Sequence, residues 1–122
     1  MNVEEILARL IERPSVVGMP NDAIVGWVHR YCLAAAAEAI IVSGPEGDSS
    51  NLFVTIGPRE ARGYVLSGHM DVVPTSEPEW RADPFVLRRD ITRAHRPDEY
   101  IEIAELAACQ EVIEDLGARL AA

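Results

Sequence analysis

A histidine and an aspartate lie two positions apart in this 122-residue chain, at His69 and Asp71. They directly follow a short apolar run, Tyr64–Ser67, that is typical of a β-strand. Side chains at the C-terminal end of a strand point into the crevice where open α/β sheets bind ligands. Because neutral imidazole is a good zinc donor and a neighbouring carboxylate can orient it, the pair indicates a metal ligand with its orienting group. A histidine in a turn, with Asp71 as a local cap, is the alternative on the residues alone.

Two further histidines differ in what surrounds them. His95 lies two residues before Pro97, where a closing helix is predicted to begin. The positive end of a helix disfavours protonation of a nearby imidazole, which suits a metal ligand, although an exposed residue ahead of the helix cap is the alternative. We assign His29 to the solvent-facing side of the helix that is predicted to begin at Asn21.

Helical patterns dominate the first third of the chain. Asn2 can cap a first helix, since Glu5 follows three residues later and apolar residues recur at helical spacing. This helix should end before the loop Pro14–Pro20. A second helix is predicted from Asn21, and the alanine run Ala34–Ala37 should continue it because alanine has the highest helix propensity.

Strand-like runs follow, at Ala39–Val42, Asn51–Ile56 and Tyr64–Ser67. The continuous apolar character of the third predicts an interior strand buried on both faces. Trp80–Leu87 contains a proline and reads as a loop or an edge strand. With the closing helix from Pro97, the pattern predicts an α/β fold: a partial mixed or parallel sheet flanked by helices.

Composition excludes several functional classes. All eleven basic residues are arginine, against twenty acidic ones, so the net charge is −9. This argues against nucleic acid, and the absence of lysine excludes Schiff-base and P-loop chemistry. The longest apolar stretch is too short for a membrane span, and the acidic start does not fit a secretory signal. Cys32 and Cys109 are isolated, as expected of reduced thiols. We therefore expect a cytoplasmic protein.

Five phrases of the sequence together resemble the M20 family of zinc-dependent peptidases and deacylases. The combination covers nearly all of the chain and is most similar to the bacterial acetylornithine deacetylases of that family. The phrases are Leu10–Gly18, Asn51–Gly57, Ser67–Pro74 (SGHMDVVP), Glu79–Phe85 (EWRADPF) and Ala94–Glu99 (AHRPDE).

The resemblance implies a zinc- or cobalt-dependent amide hydrolase. His69 would be a ligand of one metal ion and His95 a ligand of a second, while Asp71 would orient the His69 ring. A hydroxide bridging the metals would attack an amide carbonyl, with a glutamate as general base. The substrate would be an N-acyl amino acid such as N-acetylornithine, giving acetate and ornithine in arginine biosynthesis.

One departure from the family is large. The sequence passes from an approach to the family's next strand, at Leu87 and Arg88, to Ile91–His95, which resembles the family's far C-terminus. We find no counterpart of the family's bridging aspartate, of its Glu-Glu pair or of its lid and dimerisation domain. We therefore predict one shortened catalytic-type domain over residues 1–122, with an N-terminal part (1–90) and a C-terminal part (91–122), that alone hydrolyses substrates inefficiently.

Two other interpretations stay open at this point. The chain could be a non-enzymatic, truncated α/β remnant that binds at most one metal ion through His69, Asp71 and His95. It could also be an interaction module that self-associates through a sheet edge and apolar faces left exposed by the missing elements.

Overall fold

The computed structural model describes residues 1–45, 47, 49–60, 62–75, 83–87, 110–115 and 118. The chain divides into two compact units. One, here called the terminal unit, combines Met1–Glu12 with Thr75–Ala122; the other, the motif unit, spans Arg13–Pro74 and contains the His69–Asp71 motif. The division of residues 1–122 into one domain with two sequential parts stays a prediction.

The first helix belongs to the terminal unit and forms as predicted. Helix α1 spans Val3–Ile11. The Glu5 amide donates to Asn2 Oδ1 at 2.8 Å, and the Asn2 amide donates to Glu5 Oε2 at 2.9 Å. This reciprocal capping box satisfies two backbone donors that a helix start otherwise leaves unpaired.

Two other parts of the terminal unit are described. Residues 83–87 form a turn in which the Phe85 amide donates to Asp83 Oδ1 at 2.9 Å, in agreement with the loop alternative for that part of Trp80–Leu87. Residues 110–115 are helical, as expected for the closing helix. The predicted start of that helix at Pro97 lies outside the described residues.

Helix α2, Asp22–Ala34, provides the core of the motif unit. Ile24 and Val25 are buried, with 6% and 1% of their surfaces exposed. Asn21 precedes the helix at the predicted N-cap position, but its side chain makes no cap hydrogen bond. Instead, Asn21 Nδ2 donates to the Ser50 carbonyl at 2.9 Å and the Ser50 amide donates to Asn21 Oδ1 at 2.8 Å, which ties the helix start to the following hairpin.

The predicted continuation of α2 through Ala34–Ala37 is wrong. The helix ends at Ala34, and Ala36 has a φ of 58°. The Ala36 amide donates to the Leu33 carbonyl and the Ala37 amide to the Cys32 carbonyl, both at 3.0 Å. This is the Schellman pattern of a helix end, in which glycine normally takes the left-handed position. The need to turn into the next strand therefore overrides the helix propensity of alanine.

Replacing Ala36 with glycine is expected to stabilise the chain by about 0.5–1 kcal/mol, because a left-handed conformation strains an alanine and not a glycine. Urea unfolding measures the change. Ala34→Gly is the matched control, since Ala34 is still helical and glycine there should cost about 0.5–1 kcal/mol. A destabilised Ala36→Gly chain would show that the left-handed turn is not the native one.

A β-hairpin follows α2. Strands β1 (Glu38–Ser43) and β2 (Ser50–Thr55) pair antiparallel, with Ile40 opposite Phe53. Their positions agree with the predicted strands. At the connection, the Gly44 amide donates to the Ser49 carbonyl at 2.7 Å, and a Cβ on Gly44 would lie 2.8 Å from that oxygen. A side chain at this position would therefore force the turn open.

The α/β class is as predicted, but the sheet differs from the expectation. In the described part of the chain it consists of the antiparallel β1–β2 pair, whereas a mixed or parallel sheet was expected. The third predicted strand is wrong as well, because Tyr64–Ser67 is not in a strand and its apolar residues are 67–85% exposed. A continuous apolar run indicates burial only where neighbouring elements cover it, and in the described part of the chain neither β1 nor β2 pairs with this run.

Several other large apolar side chains are exposed, as expected for a sheet with uncovered faces. In the hairpin, Ile40, Val42 and Phe53 share one side and are all more than half exposed. Self-association through this side stays a prediction. Within the described ranges, no helix has the length and apolar character needed to cross a bilayer.

Candidate functional site

The His69–Asp71 motif is held in place by the loop that follows α1 in sequence. Val16 and Val72 form an isolated parallel bridge. The Val17 amide donates to the Val72 carbonyl at 3.0 Å, and the Val72 amide donates to the Ser15 carbonyl at 3.0 Å. The motif therefore has a parallel partner, but that partner is a loop segment and not a strand of the hairpin.

Ser15 adds a side-chain contact to this bridge. Its hydroxyl donates to the Met70 carbonyl, and only 5% of the residue is exposed. The start of the same loop packs on α2, where the Arg13 guanidinium lies 5.1 Å from the centre of the Trp27 ring. Ser15 is thus a buried polar residue that joins a supported loop to the motif. Its role could not be predicted from the sequence, because a lone serine after a proline carries no recognisable pattern.

His69 and Asp71, the pair singled out in the sequence, lie in contact, whereas their role at a metal ion stays a prediction. His69 Nδ1 lies 3.2 Å from Asp71 Oδ1 and 3.1 Å from the Asp71 carbonyl oxygen. Both oxygens can only accept hydrogen bonds, so we infer that Nδ1 carries the proton and donates. The Nε2 lone pair of a neutral His69 ring is then free to bind an electrophile.

Solvent exposure makes this nitrogen accessible. The side chains of His69 and Asp71 are 83% and 60% exposed. An exposed pair of this kind adds little to folding stability, because water screens both groups. The pair instead provides one imidazole in a defined tautomer, and Asp71 is the hydrogen-bond acceptor that orients its ring.

The other candidates differ from His69. His29 is half-buried and its Nε2 lies 3.2 Å from the Ala39 carbonyl, so that nitrogen donates to the backbone of β1 and does not face solvent as assigned. His95 lies outside the described residues, so its place as a second metal ligand stays a prediction. Cys32 is a free, half-buried thiol and Cys109 lies outside the described residues, so the expected reduced state of the two cysteines stays a prediction.

The donors in the described part of the chain do not complete a metal site. It contains no group of three or more His, Cys, Asp or Glu side chains placed to hold a metal ion. A catalytic zinc ion normally has three protein ligands and a water molecule. His69 offers one nitrogen, and Asp71 is already engaged with the ring, so further ligands would have to come from other residues or another chain.

The chain is similar to a curated enzyme, a bacterial desuccinylase. It is 36% identical over 92 residues to the succinyl-diaminopimelate desuccinylase of Novosphingobium aromaticivorans, over 66% of this chain and 22% of the relative. The chain therefore spans about a fifth of the length of that enzyme. Neither a protein-family model nor a solved structure matches the chain.

This similarity supports the family that the motifs resemble, because the desuccinylase is an M20 enzyme. M20 enzymes generally use metal ions, and the free Nε2 of His69 is a nitrogen of the kind that binds such ions. The relative is named a desuccinylase, which supports the family's amide-hydrolase class and does not single out N-acetylornithine as a substrate.

Proposed function

We propose that this chain contributes to amide hydrolysis of the M20 type, cleaving an N-acyl amino acid into a carboxylic acid and an amino acid. In this proposal His69 is a ligand of a zinc or cobalt ion through Nε2, and Asp71 holds the ring in the tautomer that leaves Nε2 free. His95 is the proposed ligand of a second ion.

The observation that carries the proposal is the geometry of the His69–Asp71 pair. Two acceptors of Asp71, Oδ1 and the backbone oxygen, lie within 3.2 Å of Nδ1 and none of the described contacts occupies Nε2. A carboxylate behind a metal-binding histidine is the common second contact in such sites, because it fixes the ring orientation. The similarity to a desuccinylase adds the reaction class.

Two substrates are proposed in parallel. The sequence phrases favour N-acetylornithine, with a place in arginine biosynthesis, whereas the curated relative is named for succinyl-diaminopimelate. Both are N-acyl derivatives of a diamino acid, so the shared chemistry is the hydrolysis of an amide next to a carboxylate. Specificity for one acyl group would come from residues that contact the substrate, and none of the described residues is assigned to that contact.

The direct test is release of free amine from each of the two substrates by the chain loaded with zinc or cobalt. We expect turnover by the chain alone to be at least about 10²–10⁴ times slower than that of a full-length desuccinylase, since no general base is identified among the residues that the structure describes. This slow turnover should fall to background in a His69→Ala chain. It should persist in His29→Gln, which keeps an N–H donor for the Ala39 carbonyl.

Three outcomes would contradict this expectation. Turnover that is equal in the wild-type and His69→Ala chains would remove His69 from the reaction, as would turnover undetectable in both. A wild-type rate close to that of a full-length desuccinylase would support the reaction class but show that the catalytic groups are complete in this chain.

A further inference from the structure

The peptide groups on either side of Asp71 are both fixed by one residue, Ser15. The Met70 carbonyl belongs to the peptide group that ends in the Asp71 nitrogen, and it accepts from the Ser15 hydroxyl. The Val72 amide belongs to the peptide group that begins with the Asp71 carbonyl, and it donates to the Ser15 carbonyl at 3.0 Å. Since peptide groups are planar, holding one atom of each limits the rotation of the whole group.

The second of these peptide groups sets the direction of the Asp71 carbonyl. In a trans peptide the carbonyl and the following N–H point in opposite directions. With the Val72 N–H directed to Ser15, the Asp71 oxygen is directed away from the loop, and it lies 3.1 Å from His69 Nδ1. The first peptide group likewise fixes the direction in which the backbone enters Asp71. The side-chain Oδ1 of Asp71 lies 3.2 Å from His69 Nδ1.

Ser15 is well suited to this task because it does not move freely itself. It is buried, with 5% of its surface exposed, whereas His69 and Asp71 are largely exposed. A hydrogen bond between an exposed imidazole and an exposed carboxylate competes with water at every moment. The rigid support of this pair therefore comes from the buried residue behind it and not from the pair.

We propose that Ser15 is the positioning residue of the His69–Asp71 pair, acting through the Met70 carbonyl and the Val72 amide to keep the Nδ1 proton of His69 directed at Asp71. The importance of the free Nε2 for metal binding rests on the proposed function. The orientation of the ring does not, so it can be measured in the metal-free chain.

The test is the tautomer of His69, read from the nitrogen chemical shifts of its ring by long-range proton–nitrogen NMR at a pH where the ring is neutral. In the wild-type chain we expect a protonated Nδ1 and a bare Nε2. In Ser15→Ala, which removes only the side-chain hydrogen bond, the ratio of the Nδ1–H to the Nε2–H tautomer should fall by about two- to tenfold. Ser15→Thr retains a hydroxyl and should restore the wild-type ratio.

If Ser15 only stabilised the fold, replacing it would not change the tautomer ratio of His69 in a chain that still folds. Ser43→Ala is the matched control, because Ser43 is an exposed serine of β1, and it should leave the ring unchanged. A His69 ring that keeps its tautomer ratio in a folded Ser15→Ala chain would overturn the inference, as would equal changes in Ser15→Ala and Ser43→Ala or a folded Ser15→Thr chain that resembles the alanine variant. If Ser15→Ala does not fold, Ser15→Cys keeps the volume with a weak donor, and the same criteria apply to it.

Failure of this inference and failure of the proposed function are distinguishable. If the ratio changes as expected but the chain neither binds zinc through His69 nor hydrolyses an acyl amino acid, the positioning role stands and the enzymatic proposal falls. If Ser15→Ala leaves the ratio unchanged while turnover depends on His69, the reverse holds.

Discussion

Replacing His69 with alanine is expected to abolish cobalt binding at the motif. Co²⁺ is paramagnetic, so NMR signals of nuclei near a bound ion broaden, and in the wild-type chain the broadening should centre on His69 and Asp71. The imidazole Nε2 is the donor that the geometry leaves free there, because Nδ1 donates to Asp71. Without that nitrogen the described residues of the motif keep one exposed carboxylate, which holds a divalent ion poorly against water.

Asp71→Ala should have a smaller effect of the same sign. Loss of the carboxylate behind a ligating histidine weakens metal affinity by about 10–100-fold, which calorimetric titration with zinc can measure. The His29→Gln chain serves as the control and should titrate like the wild type. Broadening that persists around residues 69–71 in the His69→Ala chain, or that centres elsewhere in the wild type, would show that His69 is not the ligand.

Ile24→Ala is expected to have the largest effect on stability, at about 2–5 kcal/mol. Ile24 and Val25 are the two buried apolar residues in the described part of the chain, so the motif unit has few other side chains that can collapse into the cavity. A small domain has only about 5–15 kcal/mol of stability in total, so this loss is a large fraction of it. Urea unfolding followed by tryptophan fluorescence measures the change.

The matched control lies on the same helix. Leu33 is 49% exposed, so Leu33→Ala removes a similar number of atoms with much less burial and should cost below about 1 kcal/mol. If Ile24→Ala leaves no folded chain, Ile24→Val provides a smaller step of about 0.5–1.5 kcal/mol. Equal losses for the Ile24 and Leu33 variants would mean that the face of α2 carrying Ile24 is not the one that packs into the core.

Elements governed by neighbours in sequence could be predicted. The capping box of Asn2 and Glu5 spans four residues, and α1 begins and ends where the sequence indicates. The two strands of the hairpin also follow from apolar runs bounded by glycine and polar residues. The contact between His69 and Asp71 belongs to the same class, since a single residue separates them and local geometry decides whether they meet.

Features governed by distant residues could not be predicted. Asn21 has the right type and place for a helix cap, yet its side chain binds the Ser50 backbone, which lies 29 residues away. The alanine run favours helix, but Ala36 adopts a left-handed turn so that the chain can enter β1. The apolar run Tyr64–Ser67 resembles an interior strand, yet it is exposed and pairs with neither strand of the hairpin.

The candidate site shows the same division. Residue types and spacing point to His69 and Asp71 as candidates, and the roles that the family resemblance implies for them stay predictions. The loop partner of the motif was not predictable, because the Ser15–Met70 hydrogen bond joins residues 55 positions apart and involves a common residue type in an irregular segment. The place of Ser15 between a proline and two valines does not by itself indicate burial. Its burial is understood only from its hydrogen bond to the distant Met70 carbonyl.

The bridge between Ser15–Val17 and Met70–Val72 also has a consequence for how the chain folds. It joins the two ends of the motif unit, so it can form only after some 55 residues of chain have been closed into a loop. Closing a long loop costs entropy before any contact compensates it, and contacts of this range slow folding. The helix α2 and the β-hairpin need only local contacts and can form first. We therefore expect the His69 ring to acquire its fixed orientation in one of the last steps of folding. A newly made chain would then pass through a stage in which the secondary structure has formed but the His69 ring is not yet oriented.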